Sequence, residues 1–214
     1  MKIIDLTHPL KTGMPVYPGD PEVSIQPSSK IHFSGVNVSS LHLGSHSGTH
    51  IDAPSHIIQD GRTIDRVELN ELSGDALVIR ANKNGALRAR TQLTPQLLGL
   101  ESFKNVPKIV AIETGWDAHF GLATYVDHPF LSAEAATMLW QMGMRILAID
   151  TLSPDETLGK QNDFAIHKIV LGNDGLIVEN LRGLNFVSTN TMLGFFPLSL
   201  GSVDGAPVRA VAFE

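Results

Sequence analysis

His46-Ser47-Gly48-Thr49-His50-Ile51-Asp52-Ala53-Pro54-Ser55-His56 is the stretch that decides how the rest of the chain is read. Three of the nine histidines fall in it, together with an aspartate. Imidazole and carboxylate are the side chains that hold zinc, manganese or iron. Gly48 and Pro54 disfavour a regular helix here. His46 and His50 are therefore expected to converge from a loop rather than from one helical face. His50 and Asp52, two apart, point the same way if the segment is extended.

The composition bounds what such a cluster can do. At 214 residues, 43% hydrophobic and 18% charged, the chain can bury a sizeable core. A single α/β or barrel-like domain over 1–214 is the expectation. The formal charge of −6, with no basic run, argues against a nucleic-acid or anionic-membrane partner. There is no cysteine, which excludes disulfides, thiolate catalysis and Cys-rich zinc sites. Any metal must use nitrogen and oxygen ligands. The apolar run near Met1 is too short for a signal peptide. No stretch approaches the roughly 18 apolar residues of a membrane span, so a cytoplasmic location is expected.

Along the chain, residues 2–6 read as a first strand, stopped by His8-Pro9. Residues 13–21 are too rich in Pro and Gly for regular structure, and Tyr17 stands in that stiff loop as a candidate substrate-facing aromatic. A β-like run over 36–43 leads into the histidine stretch. Strands are expected over 76–80, 108–113, 145–150 and 176–178, the last ending at Glu179. Thr94-Pro95 starts a short helix, Ser132 caps one running to about Met142, and 163–171 is helical with a stop at Gly172-Asn173. The strand–helix–strand order over 108–150 is a βαβ crossover and so a parallel pair. Two further β-like runs cover 195–200 and 208–213.

The second half offers further ligand-type residues. His167 lies among Ile166, Ile169 and Val170 on a helix, where a packed histidine is the plainer reading. Glu179 follows Leu176-Ile177-Val178, where a carboxylate is out of place unless paired or metal-bound. His50, Asp52 and His167 also match the two-histidine, one-carboxylate triad of non-haem iron oxygenases. That triad leaves His46, His56 and Glu179 without a purpose. His8, His32, His42, His119 and His128 read as structural, and Asp150, Asp155 and Glu156 as loop-shaping.

The histidine stretch resembles the H-x-G-T-H-x-D-x-P-x-H signature of the cyclase-like metal hydrolases, which include bacterial kynurenine formamidases (arylformamidases) and isatin hydrolases. Pro15-Val16-Tyr17-Pro18-Gly19-Asp20, Thr114-Gly115-Trp116-Asp117, His128-Pro129, Ile149-Asp150-Thr151 and Ile177-Val178-Glu179-Asn180-Leu181 resemble family segments in family order. The resemblance implies a swivelling β/β/α fold with a mixed sheet, assembled as a homodimer or homotetramer. It implies that His46 and His50 bind one divalent ion, that Asp52 bridges, and that His167 and Glu179 complete a second site. Zn2+ is the expected metal, with Mn2+ the alternative, and two ions per subunit. His56 resembles the family's proton donor and acceptor, and Tyr17 its substrate-contacting aromatic. The implied reaction is hydrolysis of an amide C–N bond, N-formylkynurenine to kynurenine and formate first, a cyclic amide or lactone second. The sequence departs from the formamidase branch at Tyr17, where that branch often has Trp, and at Thr49, where it often has Ala.

Overall fold

A computed structural model of the chain describes residues 1–157 and 163–214. In chain order the strands begin with β1 (Ile3–Asp5), β2 (Ser24–Ser29), β3 (Val38–His42), β4 (His50–Asp52), β5 (Ser73–Arg80) and β6 (Gln92–Leu93). They continue with β7 (Ile109–Glu113), β8 (Phe130–Leu131), β9 (Ile146–Ile149), β10 (Leu176–Glu179), β11 (Asn190–Pro197) and β12 (Gly205–Phe213). The α-helices are α1 (Ile31–Ser34), α2 (Pro95–Leu98), α3 (Ala133–Gln141) and α4 (Ala165–Leu171).

β5, β7, β9 and β10 run parallel side by side. β10 then pairs antiparallel with β4, β4 with β12, β12 with β11, and β11 with β5. The mixed sheet thus closes into a seven-stranded barrel, with β1 added along the far half of β12. The expected βαβ crossover is β7–α3–β9.

Side-chain alternation divides the core in two. Val78, Ala111, Ala148 and Val178 point into the barrel, where Ile51, Leu193, Phe195 and Ala210 meet them. Leu77, Val110, Leu147 and Ile177 point outward and are covered by α2, α3 and α4. Parallel strands buried on both faces read as unbroken apolar runs, which is why 108–113 and 145–150 are recognisable from sequence. The helix starts follow their caps: the Thr94 hydroxyl accepts the Leu97 N–H and the Ser132 hydroxyl that of Ala135.

Two expectations shift. The run at 36–43 forms β3, but among the described residues β3 pairs with β2 alone, in a two-stranded sheet apart from the barrel, and all its residues are exposed. The strand expected over 195–200 is β11, which starts at Asn190 and ends at Pro197. Its first residues are polar because only one face is buried. No helix among the described residues is long and apolar enough to cross a membrane.

Candidate metal centre

Strand alternation builds the site. Ile51 and Val178 are register partners that face the barrel core, so His50, Asp52 and Glu179 face the opposite side, where α4 lies. β4 was expected as loop; its three residues are extended because both edges are paired, to β10 and to β12. His46 arrives from the turn before β4, His167 from α4, and His56 from the short 3-10 turn Pro54–His56.

Three imidazoles share one pattern: one ring nitrogen is tied to an oxygen, and the other aims at the carboxylates. His50 Nδ1 donates to the Gly48 carbonyl at 2.8 Å. His167 Nδ1 donates to Asp155 Oδ2 at 2.6 Å. His46 Nε2 donates to Asp204 Oδ2 at 2.8 Å. Metal-ligating histidines characteristically donate their far N–H to a carboxylate or carbonyl, which fixes tautomer and ring orientation. The anchors are themselves held. Asp155 also accepts the N–H groups of Ile166 and His167, securing the start of α4. The Gly48 carbonyl accepts from Asn180 Nδ2 at 3.0 Å. Gly48 sits at φ +66°, and a Cβ there would stand 2.8 Å from Leu10 Cδ2. Its need for glycine is thus a backbone and packing matter.

The free nitrogens converge. His46 Nδ1 lies 2.7 Å from Asp52 Oδ1, and His50 Nε2 lies 3.3 Å from both Asp52 Oδ1 and Glu179 Oε2. His167 Nε2 lies 3.6 Å from Asp52 Oδ2 and 3.4 Å from Glu179 Oε1. Among the described residues, three groups have ligand atoms close enough for one ion: the half-buried His46, His56 and Asp204, then His46, His50 and Asp52, and the fully buried Asp52, His167 and Glu179. The last two share Asp52.

The electrostatics call for positive charge. Burial opposes protonation of His46 and His50, yet the Asp52 carboxylate, with further help from Asp204 and Glu179 respectively, holds them up at about 9 and about 10. Burial raises the Asp52 carboxyl, but His50 and His46 outweigh it and keep it well below the usual range. Even so, Asp52 Oδ2 and Glu179 Oε1 are buried without a hydrogen bond among the described residues. An orphaned buried carboxylate oxygen is costly. Two carboxylates, three oriented imidazoles and two orphaned oxygens fit divalent cations bound through nitrogen and oxygen.

A cavity of about 160 Å³ opens onto this cluster, with Tyr17, Asp20, His56 and Phe164 in its wall. Tyr17 and His56 therefore both reach the cavity beside the cluster. The sequence reading missed two carboxylates. Asp204, just before β12, touches both His46 and His56. Asp155 holds His167 rather than merely shaping a loop. Asp150 is not in this cavity; it is buried against Thr114 and Gly115, whose N–H groups it accepts. His8 and His128 are packed structural residues: His8 stacks on Phe120, and His128 Nε2 bonds the Thr157 hydroxyl at 2.6 Å. Thr49 uses its hydroxyl structurally, accepting the His8 N–H and donating to the Asn180 carbonyl.

The family model described as "Putative cyclase" matches residues 4–156, most of the chain. The chain belongs to the cyclase family. A kynurenine formamidase of Paracidovorax citrulli is 32% identical over 218 aligned residues, covering 97% of this chain and 94% of that protein. Among solved structures, isatin hydrolase A from Labrenzia aggregata, bound to benzyl benzoate, superimposes with a TM-score of 0.87 at 22% identity, covering 99% of this chain and 93% of that one. A predicted metal-dependent hydrolase from Bacillus stearothermophilus gives a TM-score of 0.79 at 25% identity, over 99% and 97% of the two chains. The likeness to the isatin hydrolase is one of fold, so the cyclase barrel is common ground among chains of low identity.

Proposed function

We propose that this cyclase-family protein is a metal-dependent amidohydrolase cleaving a C–N bond, with N-formylkynurenine as substrate and kynurenine and formate as products. The observation that carries the reading is the convergence of His46, His50, Asp52, His167 and Glu179 beside a cavity, with buried carboxylate oxygens that have no hydrogen bond among the described residues. The kinship to kynurenine formamidases over nearly the full chain supports the choice of substrate. The same constellation exceeds the three-residue triad of an iron oxygenase, because His46 and Glu179 join it.

His46, His50 and Asp52 would hold one divalent ion, and Asp52, His167 and Glu179 a second. Such an ion supplies a more acidic water and stabilises charge on a carbonyl oxygen. His50 and His167, each with its far nitrogen anchored, keep the donor geometry rigid. His56 stands at the cavity beside His46, with ring centroids 4.0 Å apart, outside both donor groups that contain Asp52. It is assigned as the group that takes a proton from water and returns it to the leaving nitrogen. Imidazole suits this role because it exchanges protons near neutral pH. Tyr17 and Phe164 give an aromatic substrate apolar surface to lie on.

Zn2+ is the metal we assign, Mn2+ the alternative, at two ions per chain. We further propose one catalytic domain over 1–214, a cytoplasmic location, and a homodimer or homotetramer. Ile31, Phe33, Val38 and Leu41 expose large apolar surface around the β2–β3 sheet, which supports association between copies. The assembly is checked by light scattering on the purified protein, where a monomer would overturn it. The function is tested by metal analysis, then by turnover of N-formylkynurenine, isatin and a simple aryl lactone. Turnover of the formamide with two bound ions is expected. Preference for isatin or the lactone would move the assignment to ring opening, and no turnover of any at full metal loading would overturn it.

A further inference from the structure

Asp204 stands at the point where β12 begins, and one of its carboxylate oxygens does two jobs. Oδ2 accepts from His46 Nε2 at 2.8 Å and from His56 Nδ1 at 3.2 Å. Its backbone is fixed as well, since the Asp204 carbonyl accepts the Ala53 N–H at 2.9 Å. Gly205 follows, and the His46 ring lies against it so closely that a Cβ would stand 2.9 Å from His46 Cε1. The carboxylate is therefore held by a strand end rather than by a free loop, and both imidazoles are measured against it.

The consequence for His56 is chemical. A carboxylate oxygen can only accept, so His56 Nδ1 must carry the proton in this contact. Nε2 makes no hydrogen bond among the described residues, and His56 forms part of the cavity wall. In the neutral ring Nε2 then carries the lone pair. That is the state a base needs before it takes a proton from water.

We propose that Asp204 is a positioning residue for His56, fixing its Nδ1–H tautomer and ring orientation and, through the same oxygen, locking the proton-transfer group to the metal ligand His46. This rests on the amidohydrolase reading above. Water gives a proton to His56 Nε2 while its oxygen forms a bond to the amide carbon. The C–N bond then breaks and the nitrogen leaves with the proton from Nε2, which returns His56 to its starting tautomer. Throughout, Asp204 keeps the Nδ1 proton and faces the imidazolium when it forms. A carboxylate in this place holds the base in its working tautomer without itself taking the proton.

The first test reads the tautomer in the wild-type protein. Nitrogen-15 NMR of the zinc-loaded wild-type protein at mildly alkaline pH, with His56 assigned through a His56→Gln spectrum, should show Nδ1 protonated and Nε2 bare. The opposite tautomer would overturn the proposal whatever the substrate. The second test is Asp204→Asn, which keeps the shape but can donate to Nδ1 and so admits the wrong tautomer. Its kcat should fall about 10²-fold or more, within the range for loss of acid–base help. Zinc affinity should fall about 10–100-fold, because Asp204 also anchors His46. With zinc held saturating, the kcat loss should persist at near-wild-type KM, and the Nε2–H form of His56 should appear. Wild-type kcat in this variant, or a loss of kcat that tracks lost zinc with the tautomer unchanged, would overturn the role. Wild-type protein that turns over no amide would instead count against the amidohydrolase reading, and the tautomer measurement would still decide the Asp204 contact.

Discussion

Glu179 and His50 are direct register partners across the antiparallel β10–β4 pair, and their side chains meet at 3.3 Å on the face turned away from the barrel core. Strand pairing thus brings residues far apart in sequence to one point. Asp52, two residues on, is on the same face and belongs to two donor groups, whereas Glu179 belongs to one. Glu179→Gln should therefore lower bound metal from about two ions to about one, and Asp52→Asn should weaken both. Each should lose at least the 10–100-fold in affinity that removal of an outer partner costs. Metal analysis after dialysis checks the difference; equal stoichiometry in the two variants would contradict a shared Asp52.

Asp155 should behave as an outer partner. It accepts from His167 Nδ1 at 2.6 Å and also secures the first N–H groups of α4. Asp155→Asn is expected to weaken metal binding by about 10–100-fold. Asp155→Ala should in addition cost about 1 kcal/mol through the lost cap. Metal titration and urea unfolding of the metal-free proteins separate the two effects. Unchanged metal affinity in both variants would show that His167 needs no anchor.

His56→Ala should lose about 10²–10⁴-fold in kcat, the usual worth of positioned acid–base help. Its metal content should stay whole, because His56 is outside both groups that share Asp52. If metal leaves in proportion to activity, His56 is a ligand.

How far the sequence carried this can be seen in particular elements. β7 and β9 are legible because strands buried on both faces spell unbroken apolar runs. β4 is not, because three residues, two of them ligand types, show no periodicity; the pairing that makes it a strand comes from β10 and β12. β11 begins five residues before the run expected over 195–200 because its opening residues are polar and only partly buried, and the run over 36–43 reads as β-like although β3 is exposed. Among the site residues, the histidine stretch announces itself by density. Asp204 hides in Asp204-Gly205, which reads as an ordinary turn, and Asp155 is hidden by the intervening chain between it and His167. Residues that orient others carry no pattern of their own, since only the tertiary fold brings them to their partners.

His8 gives a pH dependence with a definite sign. Burial, first of all, pushes its imidazole down from 6.5 to about 4, with Asp117 opposing and Arg182 assisting the fall. Below about pH 6.5 the unfolded chain gains a proton that the folded chain refuses until about pH 4. His8 therefore makes stability fall as pH drops through that window, by at most about 1.4 kcal/mol per pH unit. His8→Phe should keep the stack on Phe120 and remove the buried Nε2, which has no hydrogen bond among the described residues. Urea unfolding of metal-free protein from pH 7 to pH 4 should give a shallower acid slope for the variant; parallel slopes would acquit His8.

Gly205 shows how a single hydrogen supports the metal centre. A Cβ there would stand 2.7 Å from the Ile51 carbonyl oxygen and 2.9 Å from His46 Cε1. The first neighbour is backbone of β4, paired on both edges, so it cannot give way without opening the barrel. The second is the ring of a proposed ligand. Gly205→Ala should therefore destabilise the fold by about 1–3 kcal/mol, as overpacking does. It should also weaken metal binding about 10-fold or more, because His46 must turn away from Asp52. Gly201→Ala is the matched control, since a Cβ there meets nothing within 4 Å. Urea unfolding with and without zinc reads both effects. A Gly205→Ala protein that binds zinc like the Gly201→Ala control would show that the β12 strand does not set the position of His46.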